Sequence, residues 1–243
     1  MRRQSFGSAA GFSLIELMIA MAVTLTMMTL ASKVLMECFN VRTRQDARSD
    51  TLADVQRALN IVSREVASAG YGLKNNGIVG CNAAGACDST ATSIRVRSNL
   101  NRFDSLPSDA TTLQENEDVK FFLNDSANTR YLVRYNANAA GTKATVLANR
   151  ITAMQFHYFS RRVSYTTLSY DPATPNASLI TNVRDSAGAA QAEVAPDLAS
   201  YVVVLLVVRL PAVGKPDSPG YQPASNEMLA SDVALRNSDL ANY

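Results

Sequence analysis

One acidic side chain lies inside the most apolar stretch of the chain. Residues 12–32 read FSLIELMIAMAVTLTMMTLAS, and Glu16 is the only charged residue among them. A carboxylate at the centre of a membrane costs about 2.5–3.5 kcal/mol, and less near the edge. We therefore expect a function to keep Glu16 there, because a buried carboxylate is tolerated when it is paired. The alternative is that the Glu16 side chain reaches the membrane surface alone.

The three cysteines offer one covalent pairing. Cys81 and Cys87 enclose the short, flexible segment Asn-Ala-Ala-Gly-Ala, and Cys38 follows the apolar stretch. The five-residue gap is not that of a Cys-x-x-Cys redox pair, and the sequence has no second pair of ligands for zinc. In an oxidising compartment such a pair normally forms a disulfide. We expect a Cys81–Cys87 disulfide, and a Cys38 side chain that is small and buried rather than an intermolecular link.

The other reactive side chains form no catalytic or metal-binding pattern. The single histidine, His157, has no Cys, Ser or carboxylate partner at motif spacing, so we expect it to be structural. The acids Glu115, Glu117 and Asp118 lack the spacing of a calcium loop, so we expect them to be solvated, with a calcium site as the alternative. The sequence contains no phosphate-binding glycine loop and no nucleophile elbow. We therefore expect no enzymatic activity, no cofactor and no metal.

Composition and charge narrow the class of protein further. The 243 residues are 47% hydrophobic and 18% charged, which excludes a disordered chain. The net charge of +2 comes from Arg2 and Arg3, because the rest of the chain carries 21 basic and 21 acidic residues. A neutral body argues against nucleic acid as a partner. The aromatic and basic run 156–162 could contact a polymer such as DNA or a glycan, but the neutral charge disfavours this use.

The apolar stretch is long enough to cross a membrane. As a helix it would measure about 31 Å, roughly the thickness of the hydrocarbon core of a bilayer. Arg2 and Arg3 precede it, so the positive-inside rule keeps the amino end in the cytoplasm and sends the rest across. The alternative is a secretory signal peptide, whose apolar region has about 7–15 residues. The run is longer than that, and the Leu-Ala-Ser near its end is a poor cleavage signal.

The start of this stretch resembles a known targeting signal. The run Gly11-Phe12-Ser13-Leu14-Ile15-Glu16-Leu17 follows a short basic leader, as in the type III signal of type IV pilins and type II secretion pseudopilins. The resemblance implies that residues 1–11 are a leader, which prepilin peptidase removes between Gly11 and Phe12 before it methylates the new amino terminus. It also implies that Glu16, one helical turn beyond Phe12, pairs with the terminal amine of a neighbouring subunit.

The first part of the chain is predicted to form one long helix. No Gly or Pro occurs from Phe12 to Ala69, and Gly70 and Gly72 then follow. We expect residues 12–35 to form the half of this helix that lies in the membrane or the filament core, and residues 36–70 to form an amphipathic half.

The amphipathic half carries a regular apolar stripe. Its spacing of 3-4-3-4-3 predicts packing on a core, with a coiled-coil partner as the alternative. The stripe consists of Leu52, Val55, Leu59, Val62, Val66 and Ala69. The section Arg42–Asp54 is mostly polar, and we expect it to form a solvated neck.

Beyond residue 70 the pattern changes to short β-rich runs between polar loops, so we expect residues 71–243 to form a globular, β-rich periplasmic domain. The run 202–208 is wholly apolar and fits a central strand that is buried on both faces. Long loops are predicted over Ser160–Ala199 and Pro211–Pro223. The predicted strands are Ser93–Arg97, Val119–Leu123, Arg130–Tyr135, Thr145–Ala148, Ile151–Phe159 and Tyr201–Leu210.

A long amino-terminal helix laid on an antiparallel sheet, an α+β arrangement, is the pilin architecture. Three further stretches, 64–72, 149–156 and 232–237, resemble the larger minor pilins of the PilW type, which are related to the J-type pseudopilins of type II secretion. The resemblance implies a minor pilin of a type IV pilus, in a small complex that primes assembly or caps the tip. The alternatives are a type II secretion pseudopilin and a tip adhesin or DNA-uptake pilin that binds through the loops between residues 160 and 223.

The same resemblance implies the partners and the location of the protein. The partners would be prepilin peptidase, other minor pilins, the major pilin and the inner membrane. The precursor would lie in the inner membrane with a cytoplasmic amino terminus and a periplasmic globular domain. The processed protein would then enter the filament or its tip at the cell surface.

Overall fold

The computed structural model describes residues 13–100, 114–126, 129–214, 216 and 221–237. The chain divides into two compact units. The first contains the described residues up to Ala47 together with those of 213–222, and the second contains those of 48–212 and 223–243. The long helix α1, Leu14–Ala67, contributes residues to both units.

The first unit consists of the amino-terminal part of α1 and a short connection. Residues 14–47 are helical throughout, in agreement with the absence of Gly and Pro. The large apolar side chains of this part are exposed, from 78% at Leu14 to 46% at Val41. In the connection, Val213 and Gln222 form an antiparallel bridge within the segment predicted to be a loop.

The second unit contains all the described strands. Its sheets are antiparallel: four strands in the order β1-β2-β3-β4, three in the order β5-β8-β9, and the pair β6-β7. The strands are β1 Ser93–Arg97, β2 Asp118–Ser126, β3 Thr129–Asn136, β4 Ala144–Asn149, β5 Ile151–Phe159, β6 Ser164–Thr167, β7 Ile180–Arg184, β8 Tyr201–Leu210 and β9 Ser225–Ala234.

The apolar stripe of α1 packs on these sheets in the second unit. Val55, Leu59, Val62 and Val66 are at most 2% exposed, which confirms the predicted stripe. Ala58 is also fully buried, because it lies three residues after Val55 and four before Val62, on the same face of the helix. The amphipathic half of the helix therefore uses its apolar face for the core of its own chain.

Two glycines set the path of the chain after the end of the helix. Gly70 has a φ of +77°, which favours glycine, and its N–H donates to the carbonyl oxygen of Arg97 at 2.9 Å. Gly77 approaches the same place, and a Cβ there would collide with the backbone of Gly70. The stop signal read from the sequence is thus also the point where the helix end joins β1.

The described residues form a core with two parts, one on each face of the three-stranded sheet. The larger part lies between α1, the four-stranded sheet and one face of β5-β8-β9, and it includes Phe121 and Phe156. The smaller part lies on the opposite face, against the β6–β7 hairpin, and includes Phe159 and Ile180. Strand β8 is central and buried on both faces except at Arg209, as predicted.

One loop prediction needs correction, and one strand was not predicted. The long loop predicted over Ser160–Ala199 contains β6, β7 and the 3₁₀ helix Pro196–Leu198. Strand β9 was also missed, because it is an edge strand whose outer residues are polar or small. None of the residues of the predicted neck, Arg42–Asp54, is buried, in agreement with the prediction, and Arg48 forms an exposed ion pair with Glu227 of β9 at 2.6 Å.

Candidate functional site

The predicted signal leads directly into the first turn of α1. Gly11 and Phe12, the predicted cleavage site, lie outside the described residues. The N–H groups of Glu16 and Leu17 donate to the carbonyl oxygen of Ser13 at 3.0 and 3.2 Å, so Glu16 lies in the first helical turn. A negative charge at this end of a helix is favourable because it faces the positive end of the helix dipole.

Glu16 is surrounded along the helix by exposed apolar side chains. Ile15, Met18 and Ile19 are 67%, 63% and 59% exposed. Among the described residues, α1 is the one helix whose length and composition suffice to cross a membrane, with a mean hydropathy of 2.0 over an 18-residue window. None of that window is buried inside the chain. The helix therefore presents an apolar surface with a single carboxylate near its start.

The hydroxyl groups of this apolar segment are satisfied within the helix. Thr24, Thr26, Thr29 and Ser32 each donate to a backbone carbonyl oxygen three or four residues earlier, at 2.7–3.0 Å. Such bonds let hydroxyl side chains enter hydrocarbon without an external partner. The Glu16 carboxylate is a different case, because an ionised group in hydrocarbon is stabilised mainly by an opposite charge.

The structure contains a disulfide between Cys81 and Cys87. The loop between them is held by Asn82, whose side-chain oxygen accepts the N–H groups of Ala84 and Ala86 at 3.1 and 2.9 Å. Cys38 is exposed, so the expectation that it is buried was wrong. The reason is that the buried residues of α1 begin only at Val55.

His157 has partners that its sequence spacing did not show. Its ring is 4% exposed, with Nδ1 at 2.8 Å from Oε1 of Glu193 and Nε2 at 3.2 Å from Oε1 of Gln155. Glu193 escaped notice because it lies 36 residues further along, in the segment predicted to be a loop. No group of three or more His, Cys, Asp or Glu side chains among the described residues could hold a metal ion.

The acids around the start of β2 are not all solvated, which corrects the expectation from the sequence. Glu117 is fully buried and accepts the N–H groups of Leu100 and Gln114 at 2.8 Å each. Asp118 is 5% exposed and accepts from Arg95 and Arg97 at 2.7–2.9 Å. Both acids therefore have structural roles as buried hydrogen-bond acceptors. Of the three acids, only Glu115 is exposed.

The same ion-pair network includes Asp88. Burial alone would raise the pKa of its carboxyl group, but hydrogen bonds from Lys120 and Arg95 and their positive charges lower it below the usual value. Arg95 thus bridges Asp88 and Asp118, at 2.8 and 2.7 Å. The network fixes the segment around the disulfide to the outer face of β1 and β2.

Residues 7–32 match the model of the family described as the prokaryotic N-terminal methylation motif. The match includes the predicted cleavage site, Glu16 and the apolar half of α1. Comparisons with curated proteins and with solved structures give no match. The methylation motif, together with a long helix on antiparallel sheets, supports a type IV pilin or a type II secretion pseudopilin. The motif implies processing by prepilin peptidase, and the apolar amino-terminal helix supports anchoring in the membrane.

Proposed function

We propose that this protein is a minor pilin of a type IV pilus, of the PilW type, without enzymatic activity. The observation that carries the proposal is the methylation motif over residues 7–32, continuous with a helix whose apolar part has Glu16 as its single charge. Beyond that helix, the described part of the globular region contains nine strands, which form two core clusters, one of them shared with the helix. Such bulk is less costly in a subunit used a few times than in one repeated along a filament. This favours a place in the complex that primes or caps the pilus.

Glu16 is proposed to set the position of the subunit in that complex. Its carboxylate would pair with the methylated terminal amine of a neighbouring subunit, at Phe12 of a processed chain of this kind. A buried ion pair has one good register, and breaking it leaves a charge without compensation. The pairing would therefore select a single axial position for the incoming helix.

Processing at Gly11 is the first test of this proposal. In cells that contain prepilin peptidase, we expect mature protein that begins at Phe12 and carries a methyl group on its terminal nitrogen, as read by mass spectrometry. Gly11→Val should block the cut, because a branched side chain hinders access to the scissile bond. Gly7→Val, the same change within the leader, is the matched control and should be processed. Mature protein that begins near Ser32 would instead indicate a secretory signal.

The partners recovered with the protein test the finer assignment. After mild crosslinking in cells, we expect co-purification with pilins of a type IV pilus and loss of piliation when the gene is deleted. Recovery with pseudopilins, and loss of hydrolase secretion with intact pili, would assign the chain to a type II secretion system instead. Direct binding of a ligand by the full chain, abolished by changes in the loops of 160–223, would indicate a tip adhesin or DNA-uptake pilin.

A further inference from the structure

Two buried polar side chains lie side by side on β5. Gln155 and His157 are 5% and 4% exposed, and they lie on the face of the strand that packs against the β6–β7 hairpin. The Gln155 amide has a fixed orientation. Its Nε2 donates to the carbonyl oxygen of Ala177 at 2.7 Å, and its Oε1 accepts the N–H of Leu179 at 2.9 Å. A flipped amide would set two acceptors together and two donors together, so the backbone decides which end faces His157.

Both ring nitrogens of His157 therefore face oxygen acceptors. Nε2 lies 3.2 Å from Oε1 of Gln155, and Nδ1 lies 2.8 Å from Oε1 of Glu193. A neutral imidazole has one N–H and one lone pair, so either tautomer would place a lone pair against an acceptor. An imidazolium donates at both positions and satisfies both contacts. The Glu193 carboxylate, whose side chain is half exposed, balances its charge.

Glu193 belongs to a segment, residues 190–195, that lies along the edge of β5. β5 is an edge strand of its sheet, and the N–H of Val194 donates to the carbonyl oxygen of Tyr158 at 2.9 Å. The N–H of Gln191 donates to the carbonyl oxygen of Val183 at 3.0 Å, which ties the segment to β7 as well. An edge strand left open offers unpaired backbone groups to other chains, so this cover matters for the monomer.

We propose that His157 is held as an imidazolium, and that its charged hydrogen bond to Glu193 is a proton-dependent latch that fastens segment 190–195 over the edge of β5. The latch is closed while the ring carries both protons and Glu193 is ionised. Without the Nδ1 proton, a lone pair would face the carboxylate at hydrogen-bond distance. The half-exposed Glu193 then turns into solvent and the segment loosens.

The other ionisable groups on the elements packed around this face have partners of their own or lie at its margin. Tyr165 donates to Asp232 at 2.7 Å, and Tyr201 interacts with Asp232 and Arg162. Asp185 accepts from Gln191 at 2.9 Å and lies 3.7 Å from Arg161. Arg184 donates to Gly188, Glu227 pairs with Arg48, and Tyr158 donates to Thr90. Tyr170 packs against the same core cluster, and Asp197 is exposed. Glu193 is the carboxylate in contact with His157.

The single histidine of the chain makes the test direct. The full chain, labelled with ¹⁵N only in histidine and held in detergent micelles, gives the ring signals of His157 without any assignment. At neutral pH we expect both ring nitrogens to show the chemical shifts of an imidazolium. A neutral ring at this pH would overturn the proposal, and this measurement needs no variant.

A substitution then tests whether Glu193 keeps the second proton on the His157 ring. In Glu193→Gln the new amide can donate to the Nδ1 lone pair, so we expect a neutral ring that keeps its proton on Nε2. Glu115→Gln makes the same change at an exposed acid and should leave the imidazolium in place. An imidazolium that persists in Glu193→Gln would contradict the role of the pair.

Amide hydrogen exchange tests the latch itself. Loss of a charged hydrogen bond should raise the exchange rate of the Val194 amide about tenfold in Glu193→Gln. The amide of Asn136 in β3 of the four-stranded sheet, which donates to the carbonyl oxygen of Lys143 at 2.8 Å, serves as the reference and should not change. Equal exchange of Val194 in the wild type and in Glu193→Gln would show that the pair does not fasten this segment.

Discussion

At the scale of single residues, the free energy of placing the Glu16 carboxylate in the membrane depends strongly on whether it has a partner. A carboxylate is costly in hydrocarbon and alanine is cheap, so Glu16→Ala should enter the membrane at least as well as the wild type. Assembly should suffer, because the amine of the neighbouring subunit loses its partner and the register is no longer enforced. We expect normal processing at Phe12, normal membrane levels, and weaker recovery with partner pilins or in sheared filaments.

Two further variants separate charge from helix composition. Glu16→Gln keeps a hydrogen-bond acceptor without the charge, so its recovery should fall between those of the wild type and Glu16→Ala. Glu37→Ala removes another acid of the same helix, outside the apolar run, and should assemble normally. Unchanged incorporation of Glu16→Ala would remove the pairing role of this residue and leave the fold untouched.

Residues could be found from the sequence where their partners are close along the chain. Glu16 stands out because its neighbours are apolar, and the spacing of Cys81 and Cys87 suggests their link. The bond between His157 and Glu193 depends on the path of the segment after β7, so no local spacing predicts it.

The element with the clearest sequence signal is the apolar stripe of α1. Leu59 is 2% exposed in the larger core, so Leu59→Ala should lower the free energy of unfolding by about 2–5 kcal/mol through lost burial and a residual cavity. Gln56→Ala, at an exposed position one turn away, should change it by less than about 0.5 kcal/mol. Denaturant titration of the full chain in detergent micelles measures both. A similar loss in the two variants would mean that the stripe does not pack on this core.

The disulfide loop is an element whose removal should be tolerated. A loop this short restricts the unfolded chain only modestly, so Cys81→Ser should cost about 2–3 kcal/mol on the loop-entropy model and leave the fold intact. Cys38→Ser, at the exposed free cysteine, is the control and should leave stability unchanged. In protein taken from the cell envelope, Cys81 and Cys87 should resist alkylation until reduction. Free thiols at both positions would contradict the prediction.

Elements were predictable where one face is strongly apolar. β1, β5 and β8 have the bounds expected from the sequence, because their side chains are either apolar or alternate with polar residues. β9 and the β6–β7 hairpin were not predictable in this way. They lie at the edges of the fold, so much of their surface faces water and carries polar residues.

At the scale of the whole molecule, the α+β fold follows from the break in pattern at Gly70, where a helix without Gly or Pro gives way to strands. The division of the sheet was not visible in the sequence. β5 and β8 each have two buried faces because the helix side and the hairpin side of their sheet both carry a core. The second core requires β6 and β7, which, like β9, the sequence did not indicate.

The free energy of unfolding at alkaline pH tests the packing of both cores. Burial raises the pKa of the Tyr158 hydroxyl far above its usual value of 10.0, and the charge of Glu193 adds to the effect. Burial and contacts with Asp232 also raise the pKa of Tyr165 and Tyr201. A folded pKa above the unfolded one means that the unfolded chain loses its proton first. The stabilisation is therefore complete below pH 10.0 and is lost as the pH rises towards the folded values.

The Tyr158→Phe variant isolates the contribution of this buried hydroxyl to the stability of the fold. The variant should be less stable than the wild type at neutral pH by about 1 kcal/mol, because the Tyr158 hydroxyl donates to the carbonyl oxygen of Thr90. Above pH 10.0 its free energy of unfolding should fall less steeply than that of the wild type, since it has no phenol to ionise at this site. Tyr71→Phe, at an exposed tyrosine, should follow the wild-type slope. The measurement is denaturant unfolding of the full chain in detergent micelles at a series of pH values in this range. Equal dependence of the free energy of unfolding on pH in the wild type and Tyr158→Phe would contradict the buried position of the hydroxyl.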